Sequence, residues 1–447
     1  MSETVEDLLN YAAAELKVLS EQGCDTWELE RRVELLKDSD APDGIEKARA
    51  LVKGLETLKP AADFPYEEPS ALDEIRARRP AGPRHLAAAL SEQQLQDATL
   101  GAWQGRVAGC MLGKPVEGAS RARIVDLMKH CGVERLDDYL PPSAMEAGEA
   151  APGEGARRLL RGNITCGARD DDVDYTIVGL RVLETCGRDF TPRDVADFWL
   201  DNLPFHKTYT AERAAYRNLV NGIQPPESAT HRNPYREWIG AQIRADAFGY
   251  VCPGRPQEAA DMAFRDACIS HTKNGIYGEM WVAAMLAAAF VADNMPKVIE
   301  IGLSEIPENC RLADAVRQVV SWHSEGLDAY EAMDRVLETY ADYHGVHTIN
   351  NAAIVARALL WDEKAFSRIM GLSVEAGLDT DCNGATAGSV AGALLGAGRI
   401  PNHWIEPLSD RVETAVCGLS GLTITGLAAR TRALQEAARE TEGTGGI

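Results

Sequence analysis

Apolar residues recur at three- and four-residue steps along most of the chain, the spacing of helices that bury one face. Leu8, Leu9, Ala12, Leu16 and Leu19 follow it, as do Ile45, Ala48, Leu51, Val52 and Leu55, which predicts a small helical extension over residues 1–60. The stretch "LKPAADFPYEEPSALDEIRARRPAGP" breaks the pattern with prolines, and residues 61–90 read as a linker. From residue 91 to about 430 alanine- and leucine-rich segments resume the helical spacing, among them Asp194–Trp199, Gly278–Ala292, Ala313–Trp322 and Asn351–Trp361. Alternating β-branched runs are scarce, so the expected class is all-α, with one compact multi-helix domain behind the extension. "PPSAMEAGEAAPGEGARR" reads as an exposed loop, and residues 431–447, ending in "ETEGTGGI", as a flexible tail.

Two segments depart from ordinary helix chemistry. Glycines recur every four residues in "GAWQGRVAGCMLGKPVEG", at Gly101, Gly105, Gly109 and Gly113, and again in "GLDTDCNGATAGSVAGALLGAG", at Gly384, Gly388, Gly392 and Gly396. On a helix they share one face, where the missing side chains admit another backbone. A mid-helix glycine costs about 1 kcal/mol against alanine, so two such ridges call for a compensating contact, and each is expected to pack on the other. Gln104, Arg106 and the shortness of the apolar stretch argue against a pair of membrane helices.

Acids stand at the ends of the ridges. Glu117 follows the first, Asp379 and Asp381 open the second, and "ARDDDVDYTIVGLRVLETCG" sets Asp170, Asp171 and Asp172 ahead of a third helix that Gly187 stops. Capping explains one aspartate. Five exceed it, because converging carboxylates repel unless a cation or a proton neutralises them. Oxygen ligands with no His or Cys at metal spacing point to Mg²⁺ or Mn²⁺.

Composition narrows the partners. The 447 residues are 45% hydrophobic, enough for a large buried core, and the formal charge of -22 repels phosphate backbones and anionic lipid. Neither nucleic acid nor membrane is an expected partner. The longest apolar run, Met280 to Ala292, falls well short of the roughly 20 residues a membrane helix needs, and no signal segment opens the chain, so a cytoplasmic protein is expected. The ten cysteines show no C-x-x-C pair and read as reduced, mostly buried thiols.

At these acids the chain resembles the ADP-ribosylglycohydrolase family, over roughly residues 91–430. "GCMLGKPVE" is similar to the family's G-D-A-L-G-x-P-x-E, "DDDV" at Asp170 to Val173 to its T-D-D-T, and "GLDTDC" to its G-x-D-T-D-T. The resemblance implies an all-α fold whose central cleft binds two Mg²⁺ ions, with Mn²⁺ as a substitute, through Asp170, Asp171, Asp172, Asp379 and Asp381. It also implies that His271, in "CISHTKNGIYGEMW", lines the nucleoside end of the cleft, with Tyr277 near it. Gly240 and Arg244 would stand in the family's phosphate loop. Three departures are specific to this chain: Cys110 replaces the usual Asp, Asp170 the usual Thr, and Cys382 the Thr that ligates the second metal. A thiol is a poor ligand for Mg²⁺, so the second position is expected to bind more weakly, to use Asn383 or water, or to take a softer metal.

The implied activity is metal-dependent hydrolysis of a glycosidic bond at ribose C1′. Glu117 is the candidate gate or general acid/base, and Asp171 or Asp172 the candidate to orient water. The phosphate loop is thin in small residues, which points to an ADP-ribosyl or smaller ribosyl compound as substrate. A protein that binds such a ligand without cleaving it is the alternative. A third reading makes Cys382 a nucleophile with His271 as base. Oligomeric state is not legible.

Overall fold

Helices carry the regular structure of the described residues, 3–37, 43–87 and 90–444 with side chains to 438, in this computed structural model. Among them β-pairing is confined to isolated bridges such as Ser120 with Gly377. The two glycine ridges meet. Helices Glu92–Gly113 and Thr380–Leu395 run antiparallel, Gly101 against Gly392, Gly105 against Gly388 and Gly109 against Gly384. A Cβ at Gly105 or Gly109 would lie 1.9 Å from the carbonyl oxygen of Gly388 or Gly384, so the contact is backbone on backbone and admits no side chain. Where the ridge ends, the Thr380 hydroxyl donates to the Gly113 carbonyl at 2.8 Å and fixes the register at which both helices reach the acids.

The rest of the domain wraps this pair. The Asn274–Ala289 helix is buried along its whole length, as its unbroken apolar run requires. Among the described residues no helix is long and apolar enough to cross a membrane. Two of the segments expected to be helical lie inside Pro192–Asn202 and Arg311–Ser324, the other two overrun the ends of Asn274–Ala289 and Thr348–Leu360 by three residues and one, and the expected loop at 141–158 is pinned by three short 3₁₀ turns. The tail differs from expectation. Helix Ile424–Thr444 runs through the boundary at 430, burying Thr431 and Gln435, and Trp103 Nε1 donates to Thr431 Oγ1 at 3.0 Å. Polar residues that look exposed in sequence are held there by partners more than 300 positions away.

The extension forms three helices, Val5–Glu21, Trp27–Lys37 and Gly44–Leu55, around a small core that includes Ala12, Leu16, Val33 and Leu51. It docks through polar contacts: Gln22 Nε2 donates to Glu237 at 2.7 Å and Arg236 pairs with Glu15 at 2.7 Å. The proline-rich segment is laid on the body as a strap rather than hanging between two parts. Its charges find partners, Glu68 with Arg311 at 2.7 Å and Arg76 with Asp261 at 2.7 Å, and a short helix, Leu72–Arg78, buries Ile75.

Candidate metal centre

Three chain segments converge at one end of the ridge pair. The first ridge helix tightens into a 3₁₀ turn, Lys114–Val116, that delivers Glu117. The second begins with Asp379 and Asp381 after a turn in which Gly377 has φ 79° and Leu378 φ 63°. A left-handed leucine costs about 1–2 kcal/mol, and two backbone bonds hold it there, Gly118 N–H to the Leu378 carbonyl at 2.9 Å and Leu378 N–H to the Ala119 carbonyl at 3.1 Å. These bonds also fasten the Glu117 loop to the Asp379 turn. The third segment opens helix Asp171–Cys186, whose N-cap Asp170 accepts from Asp172 N–H at 3.0 Å.

Glu117, Asp171, Asp172, Asp379, Asp381 and Cys382 line a single cavity of about 330 Å³. Ligand atoms of Glu117, Asp379 and Asp381 lie within 4.8 Å of one another, as do those of Asp172, Asp381 and Cys382, and those of Cys110, Asp170 and Asp172. Asp381 Oδ1 is buried with no hydrogen-bond partner, a costly arrangement for a carboxylate and one that a cation relieves. Burial, then neighbouring carboxylates, pushes Asp171 and Asp379 well above the usual carboxylate range. Burial also raises Asp172 and Asp381, and Arg106 opposes it at Asp172. The charge of Asp381 and then burial raise Glu117 to about 7.

The acids are not equivalent. Asp170 uses one oxygen as the cap and gives the other to the Lys114 ammonium, which leaves it little to offer a metal. Asp172 accepts from Arg106 Nη2 at 3.3 Å and from the Cys382 thiol at 3.4 Å. Arg106 is fully buried and also donates to the Asp172 and Ile243 carbonyls, both at 2.7 Å. A charged residue inside a glycine ridge was the signal that such an anchor exists.

Several residues expected to bind substrate lie elsewhere. Gly240 does line the cavity, and a Cβ there would meet the Glu212 carboxylate at 2.2 Å. Arg244 does not: it is buried between Glu212 at 2.7 Å, Asp266 and Glu279, with its guanidinium over Trp199, so its charge is consumed in holding helices together. Tyr277 donates its hydroxyl to the Pro69 carbonyl and fastens the strap. His271 lines a different, larger and mostly apolar cavity of about 620 Å³, bounded on one side by Ser70 to Leu72 of the strap. Asn383 does not reach the acid cavity; its amide donates to Asn351 Oδ1 at 2.7 Å, which also accepts from Asp379 N–H at 3.3 Å, so it steadies the turn. With His271 in another cavity, and burial followed by Asp172, Asp379 and Asp381 pushing the Cys382 thiol well up, the geometry disfavours a Cys–His nucleophile.

The cavity also holds residues the sequence did not single out. Lys114 and Arg169 bring cations to it, Glu212 a further acid, and Tyr209 and Trp238 aromatic faces. Trp238 stacks on His344 with centroids 4.2 Å apart and planes at 11°. Trp238 is separated from Gly240 by one residue, and that adjacency was its one sequence signal.

The family model described as ADP-ribosylglycohydrolase matches residues 91–441. A solved chain titled "ADP-ribosylglycohydrolase-related protein complex" is 19% identical, covering 77% of this chain and 99% of that one, with a TM-score of 0.47. No curated protein matches the sequence.

Proposed function

The chain belongs to the ADP-ribosylglycohydrolase family, and we propose that it hydrolyses the glycosidic bond at ribose C1′ of a ribosyl compound in the acid-lined cavity, with divalent cations held by Asp172, Asp379 and Asp381. The observation that carries this is the convergence of acids from three segments on one cavity, with a buried oxygen of Asp381 left unpartnered. The donor set fits a metal: carboxylate oxygens stand within 4.8 Å of one another, and the cations beside them, Lys114, Arg106 and Arg169, leave Asp381 Oδ1 without a partner. Such cations would act as Lewis acids on sugar hydroxyls and water.

The chain's own residues supply the rest. Glu117, raised to about 7 in the metal-free protein by the charge of Asp381 and then by burial, is the group placed to give a proton to the leaving atom and to take one from water. Of the two aspartates expected to orient water, Asp171 is the freer, since Asp172 is engaged by Arg106 and Cys382. Trp238 offers a face to a ring, while Lys114 and Arg169 line the cavity with their charges paired to Asp170 and, at 2.7 Å, to Asp174. A volume of about 330 Å³ lies near the low end of the roughly 300–1,000 Å³ usual for small-ligand sites and favours a compact substrate.

The test is a panel of ribosyl compounds, from nucleosides to ADP-ribosylated peptides, incubated with Mg²⁺ or Mn²⁺ and resolved by chromatography, with Asp381→Ala as control. Release of free ribose or ADP-ribose by the wild type alone supports the reading. Binding without cleavage over hours would favour the ligand-binding alternative, which Cys110 and Cys382 among the clustered acids support.

A further inference from the structure

The two oxygen-rich groups that share Asp381 differ in one atom type. Glu117, Asp379 and Asp381 offer oxygen only, whereas Asp172 and Asp381 are joined by the sulfur of Cys382. We propose that Cys382 completes a sulfur-bearing ligand position with Asp172 and Asp381, so that the centre takes two unlike cations: a borderline transition-metal dication of the Zn²⁺ type there, and a hard Mg²⁺ or Mn²⁺ at the oxygens of Asp379 and Asp381 in the all-oxygen group. The inference rests on the metal-centre reading above and goes further by naming which ion sits where.

Geometry supports it. Cys382 Sγ lies 3.4 Å from Asp172 Oδ2, with the thiol donating. Ligands at the usual Zn–S of about 2.3 Å and Zn–O of about 2.1 Å, set tetrahedrally, stand about 3.6 Å apart, so the pair already has nearly the spacing of two ligands on one ion. The thiol proton occupies the place between sulfur and carboxylate that a cation would take, and binding sends that proton to solvent. Asp381 Oδ1, the buried oxygen without a partner, is available to the same ion. Both Cys382 and Asp381 line the cavity, which gives the ion a route in.

The other sulfur in reach is less suited. Cys110 shares a group with Asp170 and Asp172, but Asp170 is spent on its cap and on Lys114, and Cys110 does not line the cavity. Softness then selects the ion. Thiolate favours Zn²⁺ and its neighbours in the first transition row over Mg²⁺, while carboxylates alone suit Mg²⁺ and Mn²⁺.

Co²⁺ reports the difference because its bond to a thiolate gives a near-ultraviolet charge-transfer band. Chelator-stripped full-length protein is titrated with Co²⁺ and, separately, with Mn²⁺, followed by absorbance and calorimetry. The expected result is a band in the wild type that is absent in both Cys382→Ser and Cys382→Thr. Co²⁺ affinity at that position should fall by more than ~10-fold, a loss that even outer-shell changes can cause, while Mn²⁺ binding at the all-oxygen group stays within about twofold. Bound Co²⁺ without a band overturns the sulfur position and leaves the metal centre standing. A band that survives Cys382→Ser and disappears in Cys110→Ser overturns the assignment to Cys382. No binding of either ion sinks both this inference and the reading beneath it.

Discussion

Along their middles the helices Glu92–Gly113 and Thr380–Leu395 meet with nothing between their backbones, whereas just past the ridge the same pair holds Glu117, Asp379 and Asp381 around a cavity. The first region has no room even for a methyl group. The second keeps the buried carboxylates of Asp379 and Asp381 and the exposed one of Glu117 within 4.8 Å of one another and leaves one oxygen unpartnered. The contrast shows how a fold can sustain a self-repelling cluster. Backbone contact has few ways to shift, so it fixes where the helix ends lie, and the acids are held together although their charges would drive them apart.

The two regions should therefore answer mutation with opposite signs, and the largest effect tests the ridge. Gly109→Ala adds a Cβ 1.9 Å from the Gly384 carbonyl oxygen, and backbone on both sides prevents a small adjustment. Alanine's helix preference returns about 1 kcal/mol, far less than the overpacking, and the expected loss exceeds ~4 kcal/mol, enough to cost most of the folded protein. Chemical denaturation measures it. A variant as stable as the wild type would mean the helices slide freely and the ridge fixes nothing.

Asp381→Asn comes next and should act the other way. It removes one of the mutually repelling charges, so the metal-free variant should melt above the wild type while turnover falls by about 10³-fold, several kcal/mol of lost transition-state stabilisation. A saturating dication should raise the wild-type melting temperature, by the equivalent of about 2.7 kcal/mol at 100 times its Kd, and do much less for the variant. If the variant melts lower and keeps its activity, the acids belong with the ridge as structure. Glu117→Gln is milder: kcat should fall on the order of 10²-fold with KM little changed, since the group is placed to move a proton rather than to hold substrate. An equal loss in both would make Glu117 a binding residue.

This contrast also marks how far the sequence could be read. Period-four glycines in a chain that also carries Arg106 and Gln104 leave few uses other than close packing, and clustered aspartates exceed what capping needs, so both the ridge and the acids are legible from residue order alone. His271, Tyr277 and Arg244 could not be placed in that way. Tyr277 is taken by Pro69 and Arg244 by Glu212, Asp266 and Glu279, partners brought together by tertiary packing that local pattern does not encode. The strap shows the same limit: its prolines announce irregular backbone, but only the positions of Arg311 and Asp261 decide that it lies against the body. Trp238 and Tyr209 enter the cavity from segments with no motif of their own.

The smallest effect asks whether a displaced carboxyl always marks function. Glu21, at the end of the first helix of the extension, is raised to about 7 by burial, with Glu237 adding and Lys17 opposing, yet it lies outside the acid cavity. A folded-state pKa above the unfolded value means that the folded protein keeps the proton longer, so the stability tied to Glu21 is complete below about pH 4.5 and is lost as pH rises to about 7. Glu21→Gln removes that dependence. Its melting temperature should match the wild type at pH 4 and exceed it above pH 7, by the equivalent of about 1–3 kcal/mol, with turnover unchanged. A drop in turnover would tie the docked extension to the cavity wall through the neighbouring Glu237 and Trp238, and raised carboxyls would then no longer separate the acid end from the rest of the fold.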